Sequence, residues 1–399
     1  MEQLKRRHLN RLQTVNLDYV RSMMDTINWK NRLILIKGQR GVGKTTLILQ
    51  RILQEFGSTD TTNVLYISLD NVYFATNRLL DFIEQFHQMG GTTLFIDEVH
   101  KYEGWSREIK NAYDEFSDLR MILSGSSLVN IMQGEADLSR RCISYEMQGL
   151  SFREYLEMLH HQHFDKTSLE NVIEHGNDIC QEVNSRIRPL ALFNEYLRQG
   201  YYPYLIEGSE SYYTRIENVV NMTLESELPQ LRRLDVGNIR KIKALLAALS
   251  SGLPFVLDST KLSNVTGISR TTLLQYLQHL QESRLINLLY YNNFTIKRMQ
   301  KPDKIYIENT NLLHALSPSV NPGTEREVFF VNQLLQSHRV EYSKTAADFT
   351  IDRQYTIEVG GHSKGKKQLV GTDNGYIAAD NEEYVIGNKI PLWVFGFLY

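Results

Sequence analysis

Between the apolar run RLILIK and the segment LILQRIL lies GQRGVGKTT, residues 38–46, with glycines at 38, 41 and 43, a lysine at 44 and hydroxyls at 45 and 46. The spacing satisfies G-x-x-x-x-G-K-S/T in full. Each residue type has a use against phosphate. The glycines let the backbone curl so that successive N–H groups point inward, where a β-carbon would intrude. A helix starting near Lys44 aims its positive end at the same anion. Lys44 is placed to reach the β- and γ-phosphates, and the Thr45 hydroxyl to ligate Mg²⁺. The expected ligands are ATP and Mg²⁺, and the expected cradle is Gly38, Gln39, Arg40, Gly41, Val42, Gly43, Lys44, Thr45 and Thr46.

A second stretch, TTLFIDEVH, ends an apolar run with Asp97 and Glu98, 53 residues after Lys44. Asp97 would hold the Mg²⁺ shell from the carboxyl edge of a sheet. Glu98, one residue on, is placed to orient or deprotonate an attacking water. The next apolar run, LRMILSGSS, ends in hydroxyls. Ser126 is the favoured γ-phosphate or water contact, with Ser124 second; the other reading is a cap on the turn before SLVNIM. Arg140 and Arg141 precede a further apolar run, either as an arginine finger reaching a neighbouring subunit's γ-phosphate or as a salt-bridged surface pair. His100 and the other histidines have no ligand spacing and read as structural.

These groups need a sheet to gather them. Five short apolar runs, LILIK (33–37), VLYISL (64–69), TLFID (93–97), MILSG (121–125) and CISYEM (142–147), alternate with helical segments. That alternation predicts βαβ units and a parallel sheet with ligands at the strand carboxyl ends. Residues 1–30 read as a helical lead-in, with Leu9, Leu12, Tyr19, Val20 and Met23 at helical spacing, interrupted at Asn16. The core spans 31–150. Residues 151–235 carry helical patches such as SFREYLEML and almost no strand signal, giving a helical lid.

At 399 residues the chain has room for roughly two to four domains. A formal net charge of −2 shows no global preference for a polyanion, so any nucleic-acid argument is regional. Two distant cysteines, Cys142 and Cys180, exclude a disulfide framework and a cysteine zinc site. The opening MEQLKRRHLN has no apolar h-region, and no run approaches the ~20 apolar residues of a membrane span. A reduced, cytoplasmic, soluble protein without a membrane partner is expected.

Residues 236–305 supply the regional charge. Between 236 and 300 there are eight Lys/Arg against two Asp/Glu, in a pattern of helix, turn, helix and apolar hairpin. Thr260 to Val265 reads as a short helix, Gly267 as the turn, Ser269 as the N-cap of a longer helix, and INLLYYNNFTIKRMQK as a wing. Arg270, Thr271, Thr272 and Gln275 are the residues placed to face a groove of double-stranded DNA. A winged helix used for protein contact gives the same pattern.

The stretches LILIKGQRGVGKTTL, LFIDEVHKYEGWSREIKNAYDE, RMILSGSS, LSRRCISYEMQGLSFREYL, KIYIENTNLLHAL and IPLWVFGF together resemble the AAA+ branch of P-loop ATPases. More narrowly, they resemble bacterial and archaeal ATPases with a C-terminal restriction-endonuclease-like domain of unknown function. The resemblance implies sheet order 5-1-4-3-2, a helical lid after the core, and the roles given above for Lys44, Asp97, Glu98, Ser126 and Arg140 or Arg141. It also implies an α+β endonuclease-like fold for 306–399, after one helix (TEREVFFVNQLLQS) and the strand-like pieces FTI, YTIEV, YVI and PLWVFGF. Nucleases of that fold bind Mg²⁺ with an acidic residue followed by a Glu-x-Lys strand. Here Asp348 precedes Glu358, Glu327 can add a third carboxylate, but the lysine position is Gly360; Lys364 can substitute from the loop GGHSKGKKQ, which reads equally well as a basic turn. A degenerate, non-cutting domain is expected.

The leading functional expectation is therefore a Mg²⁺-dependent ATPase, with a homo-oligomer if an arginine acts in trans. The alternatives are a nucleotide-controlled DNA- or partner-binding switch with slow hydrolysis, and an ATP-gated nuclease.

Overall fold

The computed structural model describes residues 1–130, 138, 140–232, 234–251, 259–291, 301–343, 347–362 and 374–399. Two compact units, Met1–Gly149 and Leu150–Tyr399, divide the chain. The first begins with helices α1 (Glu2–Leu12) and α2 (Met23–Thr26). The core then runs β1 (Leu33–Gly38), α3 (Lys44–Phe56), β2 (Val64–Ser68), α4 (Leu79–Gln88), β3 (Thr93–Asp97), α5 (Trp105–Glu115), β4 (Arg120–Ser126) and β5 (Ile143–Glu146). All five strands are parallel, in the order β2-β3-β4-β1-β5. Read from the other edge, this is the expected 5-1-4-3-2.

The sequence forms this sheet because its central strands are apolar on both faces, as burial between two helical layers demands. Leu33, Ile34, Leu35 and Ile36 of β1 and Met121, Ile122 and Leu123 of β4 are all buried. Helix α3 turns Leu47, Ile48 and Ile52 inward, and α4 does the same with Leu79, Phe82, Ile83 and Phe86. The strand order puts β4 between β1 and β3, so the phosphate-loop strand and the Asp97 strand flank the Ser124 strand at one sheet edge. The lead-in is less helical than expected. Helix α1 stops at Leu12 and buries Leu4, His8 and Leu12, while Tyr19 and Val20 lie in irregular chain. The break begins just before Asn16, whose carbonyl accepts from the Gln50 amide of α3 at 3.0 Å, as Tyr19's does at 2.7 Å.

The second unit opens with α6 (Phe152–His160), started by a capping box in which Ser151 and Glu154 exchange hydrogen bonds. Helices α7 (Leu169–Arg186), α8 (Pro189–Arg198), α9 (Tyr212–Met222) and α10 (Leu228–Arg232) follow, in line with the helical texture of 151–235. Next come α11 (Val236–Ser250), α12 (Ser259–Thr266) and α13 (Arg270–Glu282), then an antiparallel ribbon of β6 (Ile286–Leu289) and β7 (Lys304–Ile307). Ser269 caps α13 by accepting from the Thr272 N–H at 3.3 Å, as its position predicts. The ribbon's return strand lies beyond the expected wing and crosses residue 305; the wing residues 292–300 lie outside the described residues.

Helices α14 (Thr310–Leu316) and α15 (Pro322–Leu334) lead to a last sheet of β8 (Val340–Tyr342), β9 (Phe349–Ile351), β10 (Tyr355–Gly360), β11 (Gly375–Ala379) and β12 (Lys389–Pro391). Its order is β12-β11-β10-β9-β8, with β8, β9 and β10 antiparallel and β10, β11 and β12 parallel. FTI and YTIEV are strands as expected, but YVI contributes only an isolated bridge at Ile386, and LWVFGF (Leu392–Phe397) is a buried 3-10 helix. A short apolar run is compatible with a strand or a buried helical turn, and periodicity does not separate the two. Among the described residues no helix is long and apolar enough to cross a membrane.

Candidate nucleotide-binding site

The phosphate loop joins β1 to α3 as its composition requires. Gly43 is the N-cap of α3 at φ +100°, a left-handed conformation that costs glycine nothing. A β-carbon on Gly38 would overlap the carbonyl oxygen of Met147, so the first glycine is set by close backbone approach. Val42 and Gln39 are buried, Arg40 half-buried, and Thr46 exposed. The Lys44 ammonium, itself buried, donates to the carbonyls of Gly38 at 2.8 Å and Gln39 at 2.9 Å. Those bonds keep a desolvated cation inside the loop.

Across the sheet edge, Asp97 organises the other wall. Its Oδ2 accepts from the Thr45 hydroxyl at 2.8 Å and from the Tyr66 hydroxyl at 2.8 Å. Its Oδ1 accepts from the Ser124 hydroxyl and from the Glu98 N–H at 3.1 Å. Glu98 stands at φ +56°, ψ +42°, a strained conformation for a side chain of its size, of the kind that clusters at functional sites. Its carboxylate lies 3.3 Å from His100 Nε2, while His100 Nδ1 accepts from the Ser126 N–H at 3.3 Å. The Ser126 hydroxyl accepts from the Leu128 N–H at 3.3 Å, the turn-capping geometry, and Ser124 is the hydroxyl in contact with Asp97. Arg141 makes a two-pronged pair with Asp114 at 2.7 and 3.0 Å, whereas Arg140 is exposed.

Two participants carried no motif. Burial, then the neighbouring Asp97 charge, pushes the Tyr66 hydroxyl far above its ordinary range, so it remains a donor to that carboxylate. Strand parity holds the signal: Ser68 pairs with Asp97, and Tyr66, two residues earlier, shares its face. Arg21 is the other. Its buried guanidinium donates to the Val42 carbonyl at 3.0 Å, to Gln148 at 3.0 Å and to Gly149 at 2.8 Å. It ties the phosphate loop to the last residues of the unit, and nothing in the spacing of residues 13–30 marks it.

Residues 30–156 match the family described as AAA domain. These residues form an AAA+ P-loop domain. Residues 190–322 match a domain of unknown function (DUF8612). The uncharacterized protein MJ1637 of Methanocaldococcus jannaschii is 26% identical over 406 residues, covering 93% of this chain and 85% of that protein. Among solved structures, domain III of the Thermotoga maritima replication initiation protein DnaA is matched at 18% identity over 43% of this chain and 80% of that one, with a TM-score of 0.26. C. elegans PCH-2 is matched at 15% identity over 70% of this chain and 67% of that one, also with a TM-score of 0.26.

Outside the AAA+ domain, the carboxylates expected in the rear half are partly gathered, around a lysine. Lys304 Nζ lies 3.3 Å from Glu327 Oε2 and 3.6 Å from Asp348 Oδ1. The rings of Tyr342, Phe349 and Tyr306 box it in, with centroids at 4.9, 5.4 and 5.9 Å. The Tyr306 hydroxyl donates to Glu327 at 2.6 Å, and the Val359 N–H to Asp348 at 3.0 Å. Burial holds the Glu327 carboxyl above its usual range; Lys304 opposes the shift and Asp348 adds to it. Glu358 is buried on β10, Gly360 pairs with Ala379, and Lys364 lies outside the described residues. Among the described residues no group of three His, Cys, Asp or Glu is gathered closely enough to hold a metal ion.

On α13, Arg270, Thr271 and Gln275 are exposed; Arg270 donates to the Thr260 hydroxyl at 2.6 Å, and the Thr272 hydroxyl pairs with Ser269 at 2.8 Å. Two of the basic residues of this region meet carboxylates from outside it. Lys243 is paired with Glu225, and Arg284 lies 3.9 Å from Glu308.

Proposed function

We propose that the AAA+ domain is a Mg²⁺-dependent ATPase that converts ATP to ADP and phosphate and couples its nucleotide state to movement of the second unit. The observation that carries this reading is the Asp97 carboxylate holding the Thr45 hydroxyl, with Glu98 next in the chain. A hydroxyl and a carboxylate are the hard oxygen donors that suit Mg²⁺, so Thr45 and Asp97 would hold the ion. When bound, Mg²⁺ neutralises charge on the β- and γ-phosphate oxygens. Lys44 binds those phosphates, Glu98 orients and deprotonates water, and Ser124 or Ser126 steadies the γ-phosphate. Arg140, being exposed, is better disposed than Arg141 to act on a neighbouring copy, which makes a homo-oligomer part of the reading.

Phosphate release from Mg²⁺-ATP is expected to be saturable, abolished by chelation of the metal, and to rise faster than linearly with protein concentration. No release above a protein-free control would sink the reading. The Glu98–His100 contact supports a second one, in which hydrolysis is slow and times binding of DNA or a protein. The same assay separates them when repeated with duplex DNA: salt-sensitive retention of DNA with negligible turnover favours the switch. The DNA-facing residues would be Arg270, Thr271, Thr272 and Gln275 on a winged helix made of α11, α12, α13 and the β6–β7 ribbon.

We read the second unit's carboxylates as a non-cutting site whose cation is built in. The Lys304 ammonium, 3.3 Å from Glu327 and 3.6 Å from Asp348, supplies the positive charge that a divalent ion would bring if the endonuclease resemblance holds. Removing one partner from a buried ion pair is strongly destabilising, about 3 kcal/mol for carboxylates that keep some solvent contact. Lys304→Met is expected to lower the midpoint of unfolding by several degrees, with part of the loss restored by Mn²⁺. Mn²⁺ should not shift the wild-type midpoint. Equal stability of variant and wild type would show that the lysine does not carry the cluster.

A further inference from the structure

Helix α1 lies along β2, an edge strand of the AAA+ sheet, and one buried histidine sets how. His8 Nδ1 accepts the Tyr66 N–H at 2.9 Å, and its other ring nitrogen faces the Asp60 carbonyl at 3.1 Å. Burial depresses its pKa, so the neutral ring with a proton on Nε2 fits both contacts. With α1 so rotated, Arg7, Asn10 and Arg11, three and four residues apart, overlook the carboxyl end of β2. Ser68, Asp70 and Asn71 face them across a cavity of about 450 Å³, with Tyr66 also in its wall. Both arginines are exposed, and among the described residues no carboxylate lies within ion-pair distance of either. The volume falls in the range of about 300–1,000 Å³ that accepts a small molecule.

We propose that this groove is a second ligand site, for a phosphorylated sugar of the ribose phosphate class, and that Tyr66 reports its occupancy to the nucleotide site. Two guanidiniums on one helix face supply the forked, permanently charged donors that phosphate oxygens take. Asp70, the one carboxylate in the wall, would repel a simple anion but accepts hydrogen bonds from sugar hydroxyls. Asn10, Asn71 and Ser68 can donate or accept. A ligand with phosphate at one end and hydroxyls at the other therefore uses both kinds of wall.

The route to the nucleotide site is short. Tyr66 is held at its backbone by His8 of α1, stands in the groove wall, and donates to the Asp97 oxygen that also holds Thr45. A ligand bridging α1 and the end of β2 bears on that one side chain. This second half of the proposal rests on the ATPase reading; the existence of the site does not.

Two sources share the chemistry, a free sugar phosphate and the 5′ end of an RNA strand. The full chain would be titrated by calorimetry with ribose 5-phosphate and, separately, with a 5′-phosphorylated oligoribonucleotide. Saturable heat with at least one is expected. The Arg7→Glu, Arg11→Glu double variant should weaken it at least about tenfold while leaving unliganded ATP turnover and the unfolding midpoint unchanged. The bound probe should then change phosphate release in the wild type, and Tyr66→Phe should bind the probe normally but show no such change. No saturable binding of either probe at millimolar concentration, or equal binding by the double variant, overturns the site. Binding with no effect on wild-type turnover overturns the coupling. Because heat reports binding directly, the groove is decided even if no phosphate is ever released, an outcome that counts against the ATPase reading alone.

Discussion

Glu98→Gln is expected to leave ATP binding at the wild-type level and to lower turnover by about 10²–10⁴-fold, the span attributable to a general base. Glutamine keeps the size of the side chain and one acceptor oxygen, but it cannot take a proton from water. The surroundings favour a clean comparison. The Glu98 N–H is held by Asp97 at 3.1 Å through its backbone, which the substitution does not touch. The side chain's own partner is His100, 3.3 Å away, and an amide can still meet an imidazole. Binding would be followed with a fluorescent ATP analogue and turnover by phosphate release in a single cycle. Hydrolysis at the wild-type rate would remove Glu98 from the chemistry and point to its neighbours.

Lys44→Ala is expected to fail one step earlier. The ammonium is buried and donates to two loop carbonyls, which hold it on the inner side of the loop where phosphate oxygens would sit. Loss of one member of a desolvated charged contact costs roughly 2–5 kcal/mol, so ATP affinity should drop at least about 30-fold. The fold should persist, because the carbonyls of Gly38 and Gln39 lie at a loop that water can reach once the side chain is gone. Calorimetric titration with Mg²⁺-ATP, beside an unfolding curve, checks both halves. Normal affinity in a folded variant would mean that the loop is not the phosphate site. Together the two variants separate holding a nucleotide from cleaving it.

Much of this arrangement was legible in the sequence because the chemistry restricts residue types locally. The loop at 38–46 and the Asp97–Glu98 pair each sit on consecutive residues, and the apolar strands before them announce where they end. Strand order was not legible from spacing; it came with the AAA+ resemblance, since any alternation of strands and helices allows several windings. What escaped notice is dispersed. Tyr66 reaches Asp97 across a strand pair, and Arg21 acts on three backbone carbonyls, which have no sequence signature. Lys304 meets Asp348 only because β7 and the last sheet belong to one packed unit. The apolar run at 392–397 resembled a strand and is a buried helical turn, since burial on every side erases the alternation that tells the two apart.

The Arg21 contacts also bear on what the smallest working piece of this chain is. The AAA match starts at residue 30, downstream of that arginine. A fragment cut there would keep every motif residue, yet leave the carbonyls of Val42, Gln148 and Gly149 without this donor. Each buried acceptor so stranded costs about 1–3 kcal/mol. The chain between α1 and β1 is thus a strut of the phosphate loop rather than a mere lead-in, and the smallest intact form of this unit extends upstream of the matched residues.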